Sequence, residues 1–396
     1  MRVLLAHNFY QSSSPSGEDS VYREERALLE GNGVEVVPYE RHSDTLSGAG
    51  WLELTRSALD VAWSRNSYRE VRELVERTQP TVAHFHNTFP LISPSAYAAC
   101  RDAGVPVVQT LHNFRLVCPG AMLFRENRPC EECLSGSLLP ALRHRCYRQS
   151  LPATAAVVRA LHVNRRRGTY TSLVNRYIAL TQFARDRFVT GGLPGALIEI
   201  KPNGLSHPPE IGDGRGGYAV FVGRLGEEKG IRVLLEAWRS LPDKPLRIVG
   251  DGPLRAELEE ISGRHKLNVT FTGRLQRDEV AKIMGSAAVV ILPSLCFEGL
   301  PMVAIEAFAC GTPVIASQLG SLGEIVDDRF GRRFEAGNAT ALAATVREVM
   351  SNEQSLLTMR TAARVEFERR YSPAANFSAL MRIYEAVSTH PEQSAA

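Results

Sequence analysis

The stretch that decides the fold is Tyr218-Ala219-Val220-Phe221-Val222-Gly223-Arg224-Leu225-Gly226-Glu227-Glu228-Lys229-Gly230. Its apolar start predicts a buried strand, which leads through a glycine-bounded loop into a helix, as in a βα unit. Gly223 permits close backbone approach to a ligand, Arg224 can form paired hydrogen bonds to phosphate oxygens, and Lys229 adds a positive charge. Because a helix N-terminus also favours anions, the loop fits a diphosphate. The alternative is an ordinary βα loop with incidental charges.

The alternation of strand and helix continues on both sides of this stretch. Predicted strands in the first half are Arg2–Phe9, Val34–Tyr39, Thr81–Phe85, Val105–Leu111 and Tyr177–Leu180, with helices near Glu18–Leu29, Leu52–Arg77, Pro94–Asp102 and Gln182–Val189. Predicted strands in the second half are Tyr218–Val222, Leu246–Val249, Thr270–Phe271, Val289–Leu292 and Pro313–Ala316. The Gly- and Pro-rich stretch Asn203–Gly217 is typical of an interdomain linker.

The chain has 396 residues, of which 44% are hydrophobic and 22% are charged. Since single cores stop growing beyond roughly 250 to 300 residues, two domains are expected. We predict an α/β protein with two Rossmann-like, doubly wound domains facing across a cleft, residues 1–204 and 205–372, followed by a helix and a disordered tail over 373–396, the tail at Pro391–Ala396. Ligands of open parallel sheets bind at the carboxyl ends of the strands, so the loops that follow strands should carry the chemistry.

A second candidate loop follows the strand Val289–Leu292. It contains Glu298 and Glu306 on either side of a segment whose backbone can meet a phosphate or sugar hydroxyls, namely Gly299, Leu300, Pro301, Met302 and Val303. A proline suits the first turn of a helix, where N–H groups lack partners inside the helix. The residues around Glu306 are apolar, so its carboxylate needs a partner, and ribose hydroxyls would supply one.

Four cysteines form a separate signal near residues 114–170, in an insertion that follows the fourth strand: Cys118, Cys130, Cys133 and Cys146. A Cys-x2-Cys pair with two flanking cysteines can bind structural zinc and order a loop that lacks its own core. An iron–sulfur cluster and plain reduced thiols remain as alternatives. Seven cysteines in a chain of this length are too few for a disulfide scaffold.

The net charge of +3 is too small to indicate nucleic-acid binding, but the charge is unevenly distributed. The window from Cys133 to Arg185 contains nine arginines and no acidic residue. This window predicts either contact with an anionic membrane surface or a solvated basic face. The sequence shows no signal peptide and no membrane span, which predicts a cytoplasmic protein, peripheral at the inner face of the cell membrane if the first alternative holds.

Several motifs together resemble the retaining family 4 glycosyltransferases of the GT-B fold. They are Gly17-Glu18, His84-Phe85-His86-Asn87, Thr110-Leu111-His112-Asn113, Lys201-Pro202-Asn203-Gly204, Gly223-Arg224-Leu225 with Lys229-Gly230, Gly250-Asp251-Gly252-Pro253-Leu254, and Glu298 with Glu306. The resemblance covers nearly all of residues 1–388. In such proteins the C-terminal helix, here Phe377–Val387, crosses back onto the first domain.

The resemblance implies roles for the matching residues. Arg224 and Lys229 would hold the donor diphosphate and stabilise the leaving group. Glu298 and the amides after it would orient the transferred sugar, while Glu306 would bind the ribose. His112 would reach that sugar from the opposite domain, although a lone histidine after a strand can also be structural.

Glycines and base contacts complete the implied donor site. Gly17 would let the N-terminal loop approach the phosphates. The backbone around Gly252, Thr272, Gly273 and Arg274 would select the base. Because side-chain identity does not report backbone contacts, UDP-sugars and GDP-sugars both remain candidate donors. His84 and His86 have a ligand role and a hydrogen-bonded structural role as alternatives.

The expected function is transfer of a sugar from a nucleoside-diphosphate sugar to a glycan or lipid-linked acceptor with retention of configuration, in polysaccharide, lipopolysaccharide or glycolipid assembly. No Asp-x-Asp motif is present, so no catalytic metal is expected. Alternatives are a nucleotide-sugar epimerase or hydrolase of the same fold and a catalytically degenerate nucleotide-sugar-binding protein. The sugar, acceptor, linkage, pathway and oligomeric state do not follow from the sequence.

Overall fold

The structure is a computed structural model that describes residues 1–12, 16–46, 50 and 57–389. The chain divides into two compact units. The first consists of Met1–Leu123, Glu131–Ser206 and the chain from Asn376 onward, and the second of Phe124–Cys130 and His207–Ala375. The tail Pro391–Ala396, predicted to be disordered, lies outside the described residues.

The first unit contains a six-stranded parallel sheet. The strands of this half of the chain are β1 (Arg2–Phe9), β2 (Glu35–His42), β3 (Val82–Phe85), β4 (Val107–Leu111), β5 (Phe124–Arg125), β6 (Arg128–Pro129), β7 (Arg176–Ala179) and β8 (Ile198–Ile200). The sheet order is β2-β1-β3-β4-β7-β8, while β5 and β6 form a separate antiparallel hairpin. The residues of β1 after Arg2 are all buried, as expected for a central strand covered on both faces.

Helices connect these strands and cover the sheet. They are α1 (Gly17–Gly31), α2 (Arg65–Thr78), α3 (Ser95–Asp102), α4 (Leu139–Arg143), α5 (Leu151–Arg166), α6 (Thr169–Ser172) and α7 (Gln182–Thr190). Short 3-10 helices lie at Ser43–Leu46 and Gly195–Leu197. The region between β4 and β7, where the cysteine-containing insertion was predicted, holds the hairpin and α4 to α6.

The second unit contains another six-stranded parallel sheet. Its strands are β9 (Ala219–Val222), β10 (Leu246–Val249), β11 (Val269–Gly273), β12 (Val289–Leu292), β13 (Val314–Ser317) and β14 (Gly331–Phe334), in the order β11-β10-β9-β12-β13-β14. Its helices are α8 (Ile231–Trp238), α9 (Arg255–Arg264), α10 (Arg277–Ser286), α11 (Met302–Ala309), α12 (Gly320–Ile325), α13 (Ala339–Met350) and α14 (Glu353–Arg370), with a 3-10 turn at Glu227–Lys229. This order has the doubly wound pattern that was predicted.

The last helix, α15 (Pro373–Thr389), contributes side chains to the core of the first unit. Leu380, Ile383, Tyr384 and Val387 are buried in one cluster with Val3, Leu29, Val82, Val108 and Ile178, which come from the sheet and α1. Tyr384 also meets His84, with its hydroxyl oxygen 2.7 Å from Nδ1. The core of the first unit therefore includes residues from both ends of the chain.

The prediction of one helix over Leu52–Arg77 was wrong in its extent. Residues 57–60 are helical, 61–64 are not, and α2 begins at Arg65. Ser64 caps α2 by accepting a hydrogen bond from the Ser67 amide, which satisfies one unpaired N–H group of the first turn. Residues 52–56 of the predicted helix lie outside the described residues.

Four strands were not predicted: the short hairpin strands β5 and β6, and two strands of the parallel sheets, β8 and β14, each of which lies at an edge of its sheet. Ile198-Glu199-Ile200 and Gly331-Arg332-Arg333-Phe334 have charged residues at their centres. Edge strands tolerate such residues because one side of the strand faces solvent. Among the described residues, no helix combines the length and apolar character that crossing a membrane requires.

We predict that Leu380→Ala lowers the free energy of unfolding by about 2 to 5 kcal/mol, the range for removal of a fully buried leucine side chain. Leu380 has no exposed surface, although it lies only 16 residues from the end of the chain. Urea unfolding measures the effect. Leu357→Ala in α14 is the matched control, because Leu357 is 50% exposed; an equal effect in both variants would contradict the packing of α15.

Candidate functional site

The strand order of the second unit brings together the two loops predicted to carry its chemistry. β9 and β12 are neighbours, and the chain leaves them towards opposite halves of the sheet. At such a switch point the two following loops diverge and leave a crevice outside the carboxyl ends of the strands. The loop after β9 contains Arg224 and Lys229, and the loop after β12 contains Glu298.

Gly230 fixes the path of the first loop. It ends the 3-10 turn in the left-handed region, with φ +67°, and directly precedes α8. A Cβ atom added there would lie 1.9 Å from the carbonyl oxygen of Pro293, in the loop after β12. Only glycine therefore allows the two loops to approach this closely.

Arg224 is paired with an acid that the sequence reasoning did not single out. Its guanidinium donates to Glu228 Oε1 at 2.6 Å. The side chain of Arg224 is 52% exposed, whereas that of Glu228 is 9% exposed. The backbone carbonyl of Glu228 also accepts from the Leu295 amide at 2.8 Å, so this residue connects the two loops. Arg224 thus has a fixed partner on one side and solvent on the other.

Lys229 and Glu298 form the main ion pair of the site. Lys229 Nζ donates to Glu298 Oε1 at 2.6 Å, and Ser294 Oγ donates to the same oxygen at 2.7 Å. Burial favours the neutral form of both groups, but their mutual attraction outweighs it, so the pKa of Glu298 is lowered and the pKa of Lys229 is raised. Both groups are therefore charged at neutral pH.

The segment after Glu298 leads into the N-terminus of α11. Pro301 occupies the N-cap position and the helix begins at Met302, one residue later than expected for a proline in the first turn. Within the described part of the chain, the amides of Met302 and Val303 have no hydrogen-bond acceptor. Gly299 and Leu300 lie just before this turn. The segment thus presents free N–H donors, as anion binding at a helix start requires.

The remaining predicted donor residues of the second unit surround these loops. Glu306 lies half-buried in α11, and Gly223 directly follows β9. Gly252 follows β10 and packs against the backbone of Leu225, where an added Cβ would lie 2.5 Å from the carbonyl oxygen. Arg274 follows β11 and is exposed. All of them lie at the carboxyl ends of strands or in the helix that follows one.

In the first unit, Gly17 and His112 occupy the corresponding edge of the sheet. Gly17 begins α1, and Ser16 and Asp19 form a capping box around it. A Cβ atom on Gly17 would have none of the described residues within 4 Å. Glu18 accepts from the Asn113 side-chain amide at 2.6 Å, and burial raises the pKa of Glu18.

His112 directly follows β4 and ends a chain of buried hydrogen bonds. Its Nε2 lies 2.9 Å from Nδ1 of His86, whose Nε2 lies 3.0 Å from Oε1 of Glu25. Lys201 donates from Nζ to Glu25 Oε2 at 3.1 Å. Lys201, Glu25 and His86 are all at least 95% buried. Starting from the half-buried residue, the hydrogen bonds link His112, His86, Glu25 and Lys201 in this order.

His84 contacts the same carboxylate. Its Nδ1 lies 2.9 Å from Glu25 Oε1, and its Nε2 lies 2.8 Å from the Thr110 hydroxyl oxygen. The structure thus places both His84 and His86 in buried positions where each forms hydrogen bonds. Glu25 and Lys201 were not predicted as site residues; the signal was an acidic residue on the face of α1 that carries Val21 and Leu28.

The four cysteines are not gathered into a ready metal site. A Cβ on Gly120 would lie 3.7 Å from Cys118 Sγ and 3.6 Å from Cys146 Cβ, while Cys133 is buried and Cys130 is half-buried. Among the described residues, three ligand atoms lie within 4.8 Å of one another only at Glu25, His84 and His86. The zinc site at Cys118, Cys130, Cys133 and Cys146 therefore stays a prediction.

The sequence matches two glycosyltransferase families. Residues 210–366 match the family described as glycosyl transferases group 1, and residues 18–207 match the one described as glycosyltransferase family 4. Together the two matches cover most of both units.

Curated relatives agree with these matches. The 2-deoxystreptamine glucosyltransferase of Streptomyces kanamyceticus is 30% identical over 316 residues, 77% of this chain and 77% of that protein. The phosphatidyl-myo-inositol mannosyltransferase of Mycobacterium leprae is 35% identical over 225 residues, 54% of this chain and 59% of the relative. An uncharacterized glycosyltransferase of Methanocaldococcus jannaschii is 31% identical over 47% of this chain and 53% of its own length. The chain thus spans little more than half the length of the last two relatives.

Solved structures show the fold. HepE of Anabaena, crystallised in complex with UDP, has a TM-score of 0.67 and 18% identity, covering 97% of this chain and 100% of that one. Sucrose-phosphate synthase from Thermosynechococcus elongatus has a TM-score of 0.71 and 18% identity, covering 98% of this chain and 99% of that one. These likenesses confirm the predicted GT-B fold.

We predict that Glu298→Gln lowers stability by about 2 kcal/mol at neutral pH, as expected for loss of hydrogen bonds to a charged group. The folded-state pKa of Glu298 lies below its ordinary value of 4.5. The contribution of its carboxylate is therefore present above about pH 4.5 and lost as the pH falls through the folded-state pKa. Urea unfolding from neutral pH down to about pH 3 should show the two proteins converging.

The matched control for this pH dependence is Glu236→Gln in α8, because the Glu236 side chain is 58% exposed. Its difference from the wild type should stay small throughout. A stability gap for Glu298→Gln that does not change with pH would show that Lys229 and Glu298 are not an ion pair in solution.

Proposed function

This chain belongs to the family 4 glycosyltransferases, and we propose that it transfers a sugar from a nucleoside-diphosphate sugar to an acceptor with retention of anomeric configuration. The observation that carries the proposal is the junction of the loops after β9 and β12. There Arg224, Lys229 and the free amides at the start of α11 lie at one switch point. Cations and N–H donors so arranged suit a diphosphate.

Each residue has a role that follows from its chemistry. Arg224 and Lys229 bind the diphosphate and stabilise the negative charge that develops as the sugar–phosphate bond breaks. Glu298, held by Lys229 and Ser294, orients the transferred sugar together with the amides that follow it. Glu306 binds the ribose hydroxyls. In the first unit, Gly17 lies near the phosphates and His112 contacts the sugar.

Retention is best explained by reaction on one face of the sugar. The leaving phosphate accepts the proton of the attacking hydroxyl, the new glycosidic bond forms on the side from which the diphosphate departs, and the diphosphate leaves with that proton. Arg224 and Lys229 carry the positive charge that such a departure needs. The same charges make a donor-bound divalent cation unnecessary in this proposal.

The donor is a UDP- or GDP-sugar. HepE, which shares the fold, was crystallised with UDP, which supports the first choice. The backbone around Gly252 and Arg274 would distinguish the two bases. For the acceptor we propose a lipid-linked or polysaccharide substrate; the name of the Mycobacterium leprae relative, phosphatidyl-myo-inositol mannosyltransferase, supports a lipid-linked acceptor.

We predict that one nucleoside diphosphate raises the stability of the chain selectively. A ligand at 100 times its dissociation constant stabilises the folded state by about 2.7 kcal/mol. Thermal unfolding with UDP, GDP, ADP and their common sugar conjugates measures the effect, which Arg224→Ala should abolish. For Lys229→Ala we expect a fall of about 100- to 1000-fold in the release of nucleoside diphosphate from the stabilising donor.

The control is Arg239→Ala at the end of α8, since the side chain of Arg239 is 47% exposed and, among the described residues, forms its ion pair with the nearby Glu236. This variant should bind the nucleotide like the wild type. Absence of stabilisation by every nucleotide would instead favour a degenerate protein, and turnover of the donor without any acceptor would favour a hydrolase or an epimerase.

We also propose that the segment 139–151 contacts an anionic membrane surface. Several arginines of the acid-free window are engaged with backbone carbonyls; Arg159 and Arg165 are examples. In contrast, Arg143, Arg145 and Arg148 are exposed. They lie between Leu139 and Leu151, whose side chains are 71% and 47% exposed. Basic and apolar side chains in such proximity suit a membrane interface.

Changing the three exposed arginines of this segment to glutamate should release the protein from vesicles that contain phosphatidylglycerol, because each basic residue contributes about 1 kcal/mol near an anionic surface. Flotation of the full chain with anionic and neutral vesicles at low salt measures this. The control changes three exposed arginines of the second unit in the same way: Arg239→Glu, Arg264→Glu and Arg329→Glu. Equal loss of binding in both triple variants, or no binding by the wild type, would contradict the proposal.

A further inference from the structure

The buried chain from Lys201 to His112 determines which ring nitrogens carry protons. An ionised carboxylate can only accept hydrogen bonds, so the Nε2 atom of His86 that faces Glu25 must carry its proton. In a neutral imidazole the other nitrogen is then an acceptor. Nδ1 of His86 therefore accepts from His112, and the proton of His112 resides on Nε2.

This leaves Nδ1 of His112 as a hydrogen-bond acceptor. Within the described part of the chain, this atom makes no hydrogen bond, and it is not sealed from solvent. His112 is itself only half-buried and follows β4 at the ligand-binding edge of the sheet. A neutral acceptor at that position can receive a hydroxyl hydrogen, whereas it repels the oxygens of a phosphate.

The pKa values of the hydrogen-bonded residues agree with this assignment of the protons. Burial lowers the pKa of His86 to about 4, and burial also lowers the pKa of His112 well below its ordinary value. Burial alone would raise the pKa of Glu25, but Lys201, together with His84 and His86, outweighs it and holds that pKa well below its ordinary value. His7, whose ring centroid lies 6.2 Å from that of His86, is paired with Asp19 and also has a lowered pKa.

A metal ion is the competing explanation for this cluster, since Glu25, His84 and His86 place ligand atoms within 4.8 Å of one another. The Lys201 ammonium, however, already donates to Glu25, and a divalent cation beside it would meet a like charge. The ring nitrogens of His84 and His86 also have other partners, namely Tyr384, Thr110 and His112. Lys201 thus supplies the positive charge that a metal would bring.

We propose that Lys201, Glu25 and His86 are positioning residues that hold His112 in its neutral Nε2–H form, so that Nδ1 accepts a hydrogen bond from a hydroxyl group of the transferred sugar. The assignment of the proton depends only on the first unit. The identity of the hydroxyl group rests on the proposed function. His112 therefore selects sugar over phosphate at this point of the site.

Two substitutions of His86 test the proposal. In His86→Gln, the side-chain oxygen can still accept from His112 Nε2, whereas His86→Leu offers no acceptor. Long-range proton–nitrogen correlation spectra of the full chain, labelled with nitrogen-15 and free of ligand, identify the protonated nitrogen of each histidine. His112→Asn assigns the signal. We expect a protonated Nε2 and a bare Nδ1 on His112 in the wild type and in His86→Gln, and a mixture of forms in His86→Leu.

The kinetic effect should follow the spectra. With the stabilising donor, His86→Leu should lower kcat by up to about tenfold, the usual size for one hydrogen bond. The KM for the donor should change little, and His86→Gln should keep most of the wild-type kcat. Thermal unfolding shows whether both variants are folded.

Three results would overturn the proposal. One is a protonated Nδ1 on His112 in the wild type, and another is an unchanged spectrum in a folded His86→Leu. The third is a change of the His84 and His86 signals to metal-bound ones when zinc chloride alone is added, which would make the cluster a metal site. The spectra could agree with the proposal while no sugar nucleotide stabilises the protein. That result would support the positioning role of Lys201, Glu25 and His86 and contradict the proposed function.

Discussion

Parallel pairing of strands is the constraint on which the candidate site depends. Because all strands of a parallel sheet run the same way, residues far apart in sequence meet at one edge whenever each follows a strand. Lys229 and Glu298 are 69 positions apart and form an ion pair at 2.6 Å. Glu25 lies in α1, the helix after β1, and contacts His86, which follows β3. In both sheets these residues gather where the connections reverse direction.

The positive charges at this edge of the second sheet are paired with carboxylates of the same loops. Arg224 is bound to Glu228, and Lys229 to Glu298. Arg224 is half-exposed, and an ion pair of that kind contributes only about 0 to 1 kcal/mol to stability. The guanidinium can therefore exchange Glu228 for the proposed diphosphate with little loss of free energy. Lys229 is more deeply placed and keeps Glu298 in position. The two acids thus fix the positions of the two cations.

The sequence predicted candidate residues where a strand, a turn and charges are consecutive, but it did not predict how their side chains pair. Gly223, Arg224 and Lys229 could be proposed for that reason. The partners Glu228 and Ser294 could not, since a glutamate and a serine in loops have many alternatives. The strands β8 and β14 escaped prediction because edge positions do not require apolar residues. A buried Glu25 could be suspected from its place on α1, but its partner Lys201 is 176 residues away.

The position of α15 bears on how the protein is made. Ribosomes release the N-terminal end first, at about 5 to 20 residues per second, and domains generally fold as units while synthesis continues. Here the first core receives Leu380 and Tyr384 from the opposite end of the polypeptide. The second unit has its sheet and helices complete by Ala375, before that core can close. Although synthesis of the first unit starts before that of the second, its core is completed later, because the apolar surface that receives α15 stays uncovered until that helix has been made.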